Sequence, residues 1–156
     1  MKQYVAGFMK DSQGQIALVR KNKPKWQAGR LNGIGGGVEE GELPLKAMYR
    51  EWHEETGTGY FFWNFFAELR FDDCAVHFFK ANVAALPALP SHNDIGEAIE
   101  IHNYDTAVRF TDMIPNLKWL LPLAFEDPQA GWVRSTPWPH LRAANDNAAP
   151  ATQVAA

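Results

Sequence analysis

Residues 36–58 read Gly36-Gly-Val-Glu-Glu-Gly-Glu42-Leu-Pro-Leu-Lys-Ala-Met-Tyr-Arg50-Glu51-Trp-His-Glu54-Glu55-Thr-Gly57-Thr58. Pro44 suits the first turn of a helix and Gly57 suits its stop, so the spacing predicts a helix over about Pro44 to Thr56. Leu43 has no side-chain acceptor and makes a poor N-cap. With Glu51 at zero and about 100° per residue, Glu54 falls at about 300° and Glu55 at about 40°. The three carboxylates therefore share an arc of roughly 100°. Leu45, Met48, Tyr49 and Trp52 take a neighbouring arc and are expected to pack on a sheet. Lys46, Arg50 and His53 form a basic edge on a third side, which leaves the carboxylates without Lys or Arg partners at i, i+4. Like charges so placed repel. The face therefore reads as a seat for a cation, and the glycine run just upstream favours that over a merely solvated acidic surface.

The rest of the chain fits one small α/β domain. It has 156 residues, 46% of them hydrophobic, with six Trp and ten Phe. Strands are expected over Tyr4 to Met9 and Gln15 to Arg20, joined as a hairpin by Asp11-Ser-Gln-Gly14. A basic loop, Asn22 to Arg30, leads to a short strand, Leu31 to Ile34, and then to Gly35-Gly36-Gly37. Tyr60 to Phe71 and Ala75 to Val83 read as paired aromatic-rich strands, and Glu97 to Asn103 as another. Asn116 to Phe125 has helical spacing that Pro122 should kink or shorten. The domain is expected to span residues 1–134. Residues 135–156 are Pro-, Ala- and Asn-rich without periodicity and read as a poorly ordered tail.

Composition narrows the partners. A net charge of -3 argues against a nucleic-acid polymer, which would favour a basic surface. Cys74 is the only cysteine, so no intramolecular disulfide forms and a reducing cytoplasm is the expected location. No stretch reaches transmembrane length, and no membrane partner is expected.

The segment from Gly36 to Thr58 resembles the Nudix box, GX5EX7REUXEEXGU, where U is aliphatic. Gly36, Glu42, Arg50, Glu51, Glu54, Glu55 and Gly57 are in register, while Trp52 and Thr58 depart at U positions. The resemblance covers roughly residues 2 to 126. It implies an α/β/α sandwich around a mixed sheet and a metal-dependent hydrolase of a nucleoside diphosphate linked to another group. It implies Mg²⁺, with Mn²⁺ as the variant, held by Glu51, Glu54, Glu55 and the Gly35 carbonyl. Arg50 matches the residue that orients the carboxylates, and Glu42 a supporting one. Gly36 and Gly37 allow backbone to approach metal and phosphate. The family's general base is either a box Glu, here Glu54, or a Glu on a distant loop. Glu97 is the candidate for the latter, beside the alternative of a solvated side chain.

Residues 26–36 are similar to the corresponding stretch of the oxidised-purine nucleoside triphosphatase of mammals, a MutT relative. By that resemblance Trp26 and Asn32 hold the purine, although Trp26 could instead cover the core and Asn32 could be a turn residue. A second stretch, Asp112 to Leu123, aligns without gaps. There the base-reading aspartates of that enzyme fall at Asn116 and Leu117, and its stacking Trp at Ile114. These departures argue against oxidised-guanine recognition and leave Asn116 as the substrate-binding candidate.

Three functions follow. The first is pyrophosphohydrolysis of a purine nucleoside triphosphate to monophosphate and pyrophosphate, by a monomer or homodimer. The second is hydrolysis of a nucleotide sugar, dinucleoside polyphosphate or ADP-ribose. The third is a non-catalytic nucleotide-binding module, against which the intact carboxylate set argues.

Overall fold

The structure is a computed structural model that describes residues 1–126 and the backbone of 133–135. Alternation along the first two strands sets its layers. In β1 (Lys2–Asp11), Val5 and Met9 face one side, and Ala6 and Phe8 the other. In β2 (Gln15–Arg20), Ala17 and Val19 join the Val5 side, and Ile16 and Leu18 the Phe8 side. Each side carries its own core. Helix α1 (Pro44–Thr56) covers the first with Met48 and Trp52, both fully buried. Helices α2 (Tyr104–Ala107) and α3 (Leu117–Phe125) cover the second, chiefly with Leu117, Leu120 and Leu121. The result is the expected α/β/α sandwich.

The remaining strands are β3 (Leu31–Asn32), β4 (Asn64–Arg70), β5 (Cys74–Val83), β6 (Ala98–Asn103) and β7 (Val133–Ser135). The sheet is mixed. β1 runs parallel to β5 from Lys2↔Cys74 to Asp11↔Val83. β5 is antiparallel to β4, with a bulge between Phe65 and Ala67, and β4 is parallel to β7. On the other flank, β2 is antiparallel to β6 from Gln15↔Asn103 to Arg20↔Ala98.

The hairpin expected between β1 and β2 exists only at its closed end, as Met9↔Ala17 and Lys10↔Ile16. Beyond that the strands part, and buried edges cannot be left without hydrogen-bond partners. Residues 31–38 fill the gap as a wedge. β3 pairs with β2 through Val19↔Asn32 and Arg20↔Leu31. The chain then crosses to β1. Gly7 N–H donates to Ile34 O at 2.7 Å, Val5 N–H to Gly36 O at 2.9 Å, and Val38 N–H to Gln3 O at 2.9 Å. The strand expected over Leu31 to Ile34 therefore ends at Asn32, because its continuation serves β1 instead of β2. Glycine is required in the wedge. At Gly35, where φ is 155°, a Cβ would lie 2.3 Å from the Val5 carbonyl oxygen.

Other expectations shift at their edges. Tyr60 to Trp63 lies outside β4, and its rings pack on one another and on α1; Trp63 meets Tyr60 at 5.3 Å and Trp52 at 5.1 Å. Leu45, expected in the core, is exposed at 38%, because α1 settles on Ala47, Met48 and Trp52 instead. Pro122 lies inside α3, which stays continuous over nine residues. The short helix α2 was not foreseen. Its signal is Asn103, whose side chain caps it by accepting from Thr106 N–H at 3.3 Å. Strand β7 straddles the expected boundary at 134/135, and the tail from 136 onward lies outside the described residues.

The wedge gives a stability test. Gly35→Ala is expected to lower unfolding free energy by more than about 2 kcal/mol, since neither neighbouring strand can give way. At Gly37 an added Cβ meets nothing within 4 Å, so Gly37→Ala should change stability by less than about 0.5 kcal/mol. Urea titrations of both variants check this, and equal losses would contradict it.

Candidate active site

Helix α1 begins and ends as its sequence requires. Leu43 provides no side-chain cap, Pro44 sits in the first turn, and Gly57 closes the helix at φ 70° with its N–H on His53 O at 2.8 Å. The two departures from the box motif bond to each other. Trp52 Nε1 donates to Thr58 Oγ1 at 3.2 Å, inside the core that aliphatic residues would otherwise fill.

The helix lies across the wedge so that Glu51 meets Gly36. A Cβ on Gly36 would sit 2.4 Å from Glu51 Oε2. A side chain at 36 would have to displace the carboxylate, and the contact brings the first carboxylate against the backbone that was expected to approach metal and phosphate.

Arg50 was expected on a separate basic edge, and the structure corrects this. Its guanidinium is the hub of the acidic face. It grips Glu42 with two bonds, Nε to Oε1 at 3.0 Å and Nη2 to Oε2 at 2.8 Å. Nη1 donates to Glu51 Oε1 at 2.8 Å and to Glu54 Oε2 at 3.1 Å, and Nη2 to Gly37 O at 2.8 Å. Arg50 and Glu54 are an i, i+4 pair and stand only about 40° apart on the helical wheel. Arg50 thereby joins Glu42, Glu51, Glu54 and Gly37, four of the expected site residues.

The three carboxylates stand at different depths. The Glu54 side chain is half exposed, that of Glu51 is 14% exposed, and Glu55 is buried. Their charge states differ accordingly. Glu42 is held below the usual carboxylate range, first by its bonds to Arg50. Burial raises Glu51 despite Arg50, with Glu54 and Glu42 adding to the rise. Burial pushes Glu55 up to about 7, reinforced by Glu51 and Glu97 and opposed by Lys21 and Asn93. Its Oε2 is buried and has no hydrogen-bond partner among the described residues.

Glu97 is fully buried just ahead of β6, so it is not a solvated side chain. Its Oε2 takes Lys21 Nζ at 2.6 Å and Asn93 Nδ2 at 3.3 Å, and its Oε1 takes Asn22 N–H at 2.8 Å. Burial pushes its pKa up, but Lys21 and the Asn22 N–H outweigh it and leave the carboxyl below its ordinary value. The sequence reading missed Lys21, Asn22 and Asn93. Lys21 could have been found by extending the β2 alternation one step, since residues 17, 19 and 21 share the α1 side.

The base-binding candidates lie around the wedge's entry. Trp26 is 59% exposed, which excludes a role covering the core. Asn32, on β3, accepts from Gly33 N–H at 2.8 Å and donates to Gln27 Oε1 at 3.2 Å, so it ties the loop of Trp26 to the sheet. The segment before α3 docks on the same strand, through Leu31 N–H to Asp112 O and Ile114 N–H to Leu31 O, both 2.9 Å. Asn116 follows it, with a buried Oδ1 that has no hydrogen-bond partner among the described residues.

These residues suit a divalent cation. Glu55 Oε2, without a hydrogen-bond partner among the described residues, and Glu51, which Arg50 bonds through Oε1 only, are hard oxygen donors. Gly36 O is committed to β1, where it accepts from Val5 N–H. Among the described residues no three acidic, His or Cys side chains are grouped closely enough to hold a metal ion by themselves. Among the described residues no helix is long and apolar enough to cross a membrane.

The family model described as the NUDIX domain matches residues 2–123, and the chain belongs to the Nudix family. Among solved structures it is similar to the MutT protein of Bacillus halodurans, at 20% identity over 87% of this chain and 88% of that one, with a TM-score of 0.67. It is also similar to a MutT from work on Aliivibrio salmonicida and Vibrio cholerae, at 22% identity over 81% and 97%, with a TM-score of 0.63. A local match links it to the RNA pyrophosphohydrolase of Francisella tularensis subsp. mediasiatica, 53% identical over 38 residues. That match spans 24% of this chain and 21% of the relative.

Glu55 makes metal-free stability depend on pH. Its folded pKa, about 7, exceeds the ordinary 4.5. Its favourable contribution is therefore complete below pH 4.5 and is lost as pH rises through 7. The loss amounts to about 3 kcal/mol. In EDTA, Glu55→Gln should melt above wild type at pH 8, and the gap should close towards pH 5. A gap that does not vary with pH would contradict this assignment.

Proposed function

We propose that the protein hydrolyses purine nucleoside triphosphates to monophosphate and pyrophosphate with the help of Mg²⁺, or Mn²⁺ in its place. The observation that carries this is the Glu51–Gly36 contact beside the unpartnered oxygen of Glu55. Glu51, Glu54, Glu55 and the Gly35 carbonyl hold the ion, which when bound supplies charge stabilisation at phosphorus and an acidified water. Arg50 keeps Glu51 and Glu54 aligned and is braced by Glu42. Gly36 and Gly37 let the phosphates approach the backbone. The base that receives the water's proton is one of two carboxylates, Glu54 at the exposed end or Glu97 after release from Lys21. Exposed Trp26 offers a stacking face that no single base monopolises. Asn32 and Asn116 offer amide groups to the purine edge. Catalysis then rests on positioning and charge.

A second reading is a 5′-triphosphorylated RNA as substrate. Lys23, Lys25 and Arg30 are exposed around Trp26 and form no ion pair among the described residues, despite the net negative chain. Cations flanking an exposed aromatic suit a strand that continues beyond the first nucleotide, and the local relative is named an RNA pyrophosphohydrolase.

The deciding assay separates the hydrolysis products by chromatography, with and without Mg²⁺: pyrophosphate from nucleoside triphosphates and triphosphorylated RNA, sugar phosphate from nucleotide sugars, and mononucleotides from dinucleoside polyphosphates. Purine triphosphates should lead, with modest discrimination between bases. Glu54→Gln and Glu55→Gln should each lower kcat by about a hundredfold or more. Asn32→Ala should lower kcat/KM for the best nucleotide by roughly ten- to a hundredfold and leave inorganic polyphosphate unaffected. If triphosphates are ignored, or if both carboxylate variants keep full turnover, this reading fails.

A further inference from the structure

The guanidinium of Arg20 joins three segments that are far apart in sequence. Arg20 ends β2, and the alternation of that strand puts it on the side where Ile16 and Leu18 enter the α3 core. Its neighbour on that side is Glu100 of β6, which pairs with Leu18. Nε and Nη2 donate to the two Glu100 oxygens at 2.5 and 3.0 Å. This fork fixes the plane of the guanidinium. Nη1 then donates to two further oxygens, Gly29 O and Asp112 Oδ2, both at 2.8 Å. Gly29 closes the loop of Trp26, where its own N–H bonds Lys21 O at 2.8 Å and Lys21 N–H bonds Arg30 O at 2.9 Å. Inside that loop the N–H groups of Gln27 and Ala28 both bond Pro24 O, which ties the turn under Trp26 to itself. Asp112 opens the segment that runs through Ile114 to Asn116. One nitrogen therefore holds the loop that carries Trp26 against the segment that carries Asn116. A lysine cannot do the same, because an ammonium has three donors and no fixed plane.

We propose that Arg20 is a positioning residue for the nucleobase, which sets the spacing between the Trp26 loop and the Asp112–Asn116 segment without touching the substrate. This rests on the base-binding reading above. The backbone of Leu31 docks the Asp112 segment on the sheet, but among the described residues no backbone hydrogen bond joins that segment to residues 22–29. The Arg20 side chain supplies that link. Walls held in place before binding spare the ligand the cost of ordering them. Arg20 lies on the sheet face opposite α1, so its effect on the base is separable from the carboxylates that face the phosphates.

The test is calorimetric binding, with Mg²⁺, of the non-hydrolysable α,β-methylene analogues of ATP and GTP, set against methylenediphosphonate, which has no base. Arg20→Lys should weaken the nucleotide analogues by roughly tenfold and leave methylenediphosphonate within about twofold of wild type. In a Trp26→Ala background, adding Arg20→Lys should cost less than about twofold more, because the group it positions is gone. A merely structural arginine would lower the melting temperature and leave the nucleotide preference of the folded protein intact, or would weaken both probes alike. Either result overturns the proposal, as do losses that multiply in full in the double variant. Asp112→Asn, at a side chain 54% exposed, covers the case in which Arg20→Lys does not fold. It weakens the Asp112 side of the link alone and should reduce nucleotide affinity by about threefold, again sparing methylenediphosphonate; an unchanged nucleotide affinity there overturns the proposal. If wild type binds the nucleotide analogues no more tightly than methylenediphosphonate, the base-binding reading falls and this proposal falls with it. If wild type prefers the nucleotides and Arg20→Lys keeps that preference, only this proposal falls.

Discussion

The contact between the Glu51 carboxylate and the Gly36 backbone is the constraint on which the rest of the molecule turns. It requires a residue without a side chain at 36, and it requires that residue to lie in the sheet plane beneath α1. The second requirement is met only because β1 and β2 part after two residue pairs and admit residues 31–38 between them. The split is stable because each strand exchanges one set of backbone partners for another. β2 keeps Leu31, Asn32 and all of β6, and β1 keeps the wedge and all of β5. Opening the sheet therefore exchanges backbone partners, and close backbone approach arises where the wedge enters.

On that platform the acidic face is held in tension. Arg50 satisfies Glu42, Glu51 and Glu54 from the solvent side, and Lys21 satisfies Glu97 from beneath. Glu55 keeps one buried oxygen without a hydrogen-bond partner among the described residues. A protein selected for stability alone would not bury such an oxygen, since an unsatisfied acceptor costs about 1–3 kcal/mol. Under the proposed function, that oxygen is the one offered to the divalent ion.

Much of this was legible in the sequence, and the gaps have physical causes. The bounds of α1 follow from Pro44 and Gly57, and β2 from its apolar run, because local chemistry fixes both. The partnership of Arg50 with Glu54 is equally local, an i, i+4 pair only about 40° apart on the helical wheel. The wedge was not legible, because which strand a short segment pairs with depends on two strands distant in sequence. Lys21 and Asn93 belong to the site only through the β2–β6 register and the loop ahead of β6. Trp26 illustrates the reverse case. Its residue type suits core and ligand equally, and only its exposure separates the two.

The most direct test of the account is an NMR titration of the ¹⁵N-labelled protein with substoichiometric Mn²⁺. If the wedge and α1 together form the cation seat, the amides of 35–37 and 51–55 should broaden first, while those of 104–110 on the opposite layer persist. Broadening that begins elsewhere, or that spares 35–37 while affecting the helix alone, would contradict the claim that the glycine wedge and the carboxylate helix form one site.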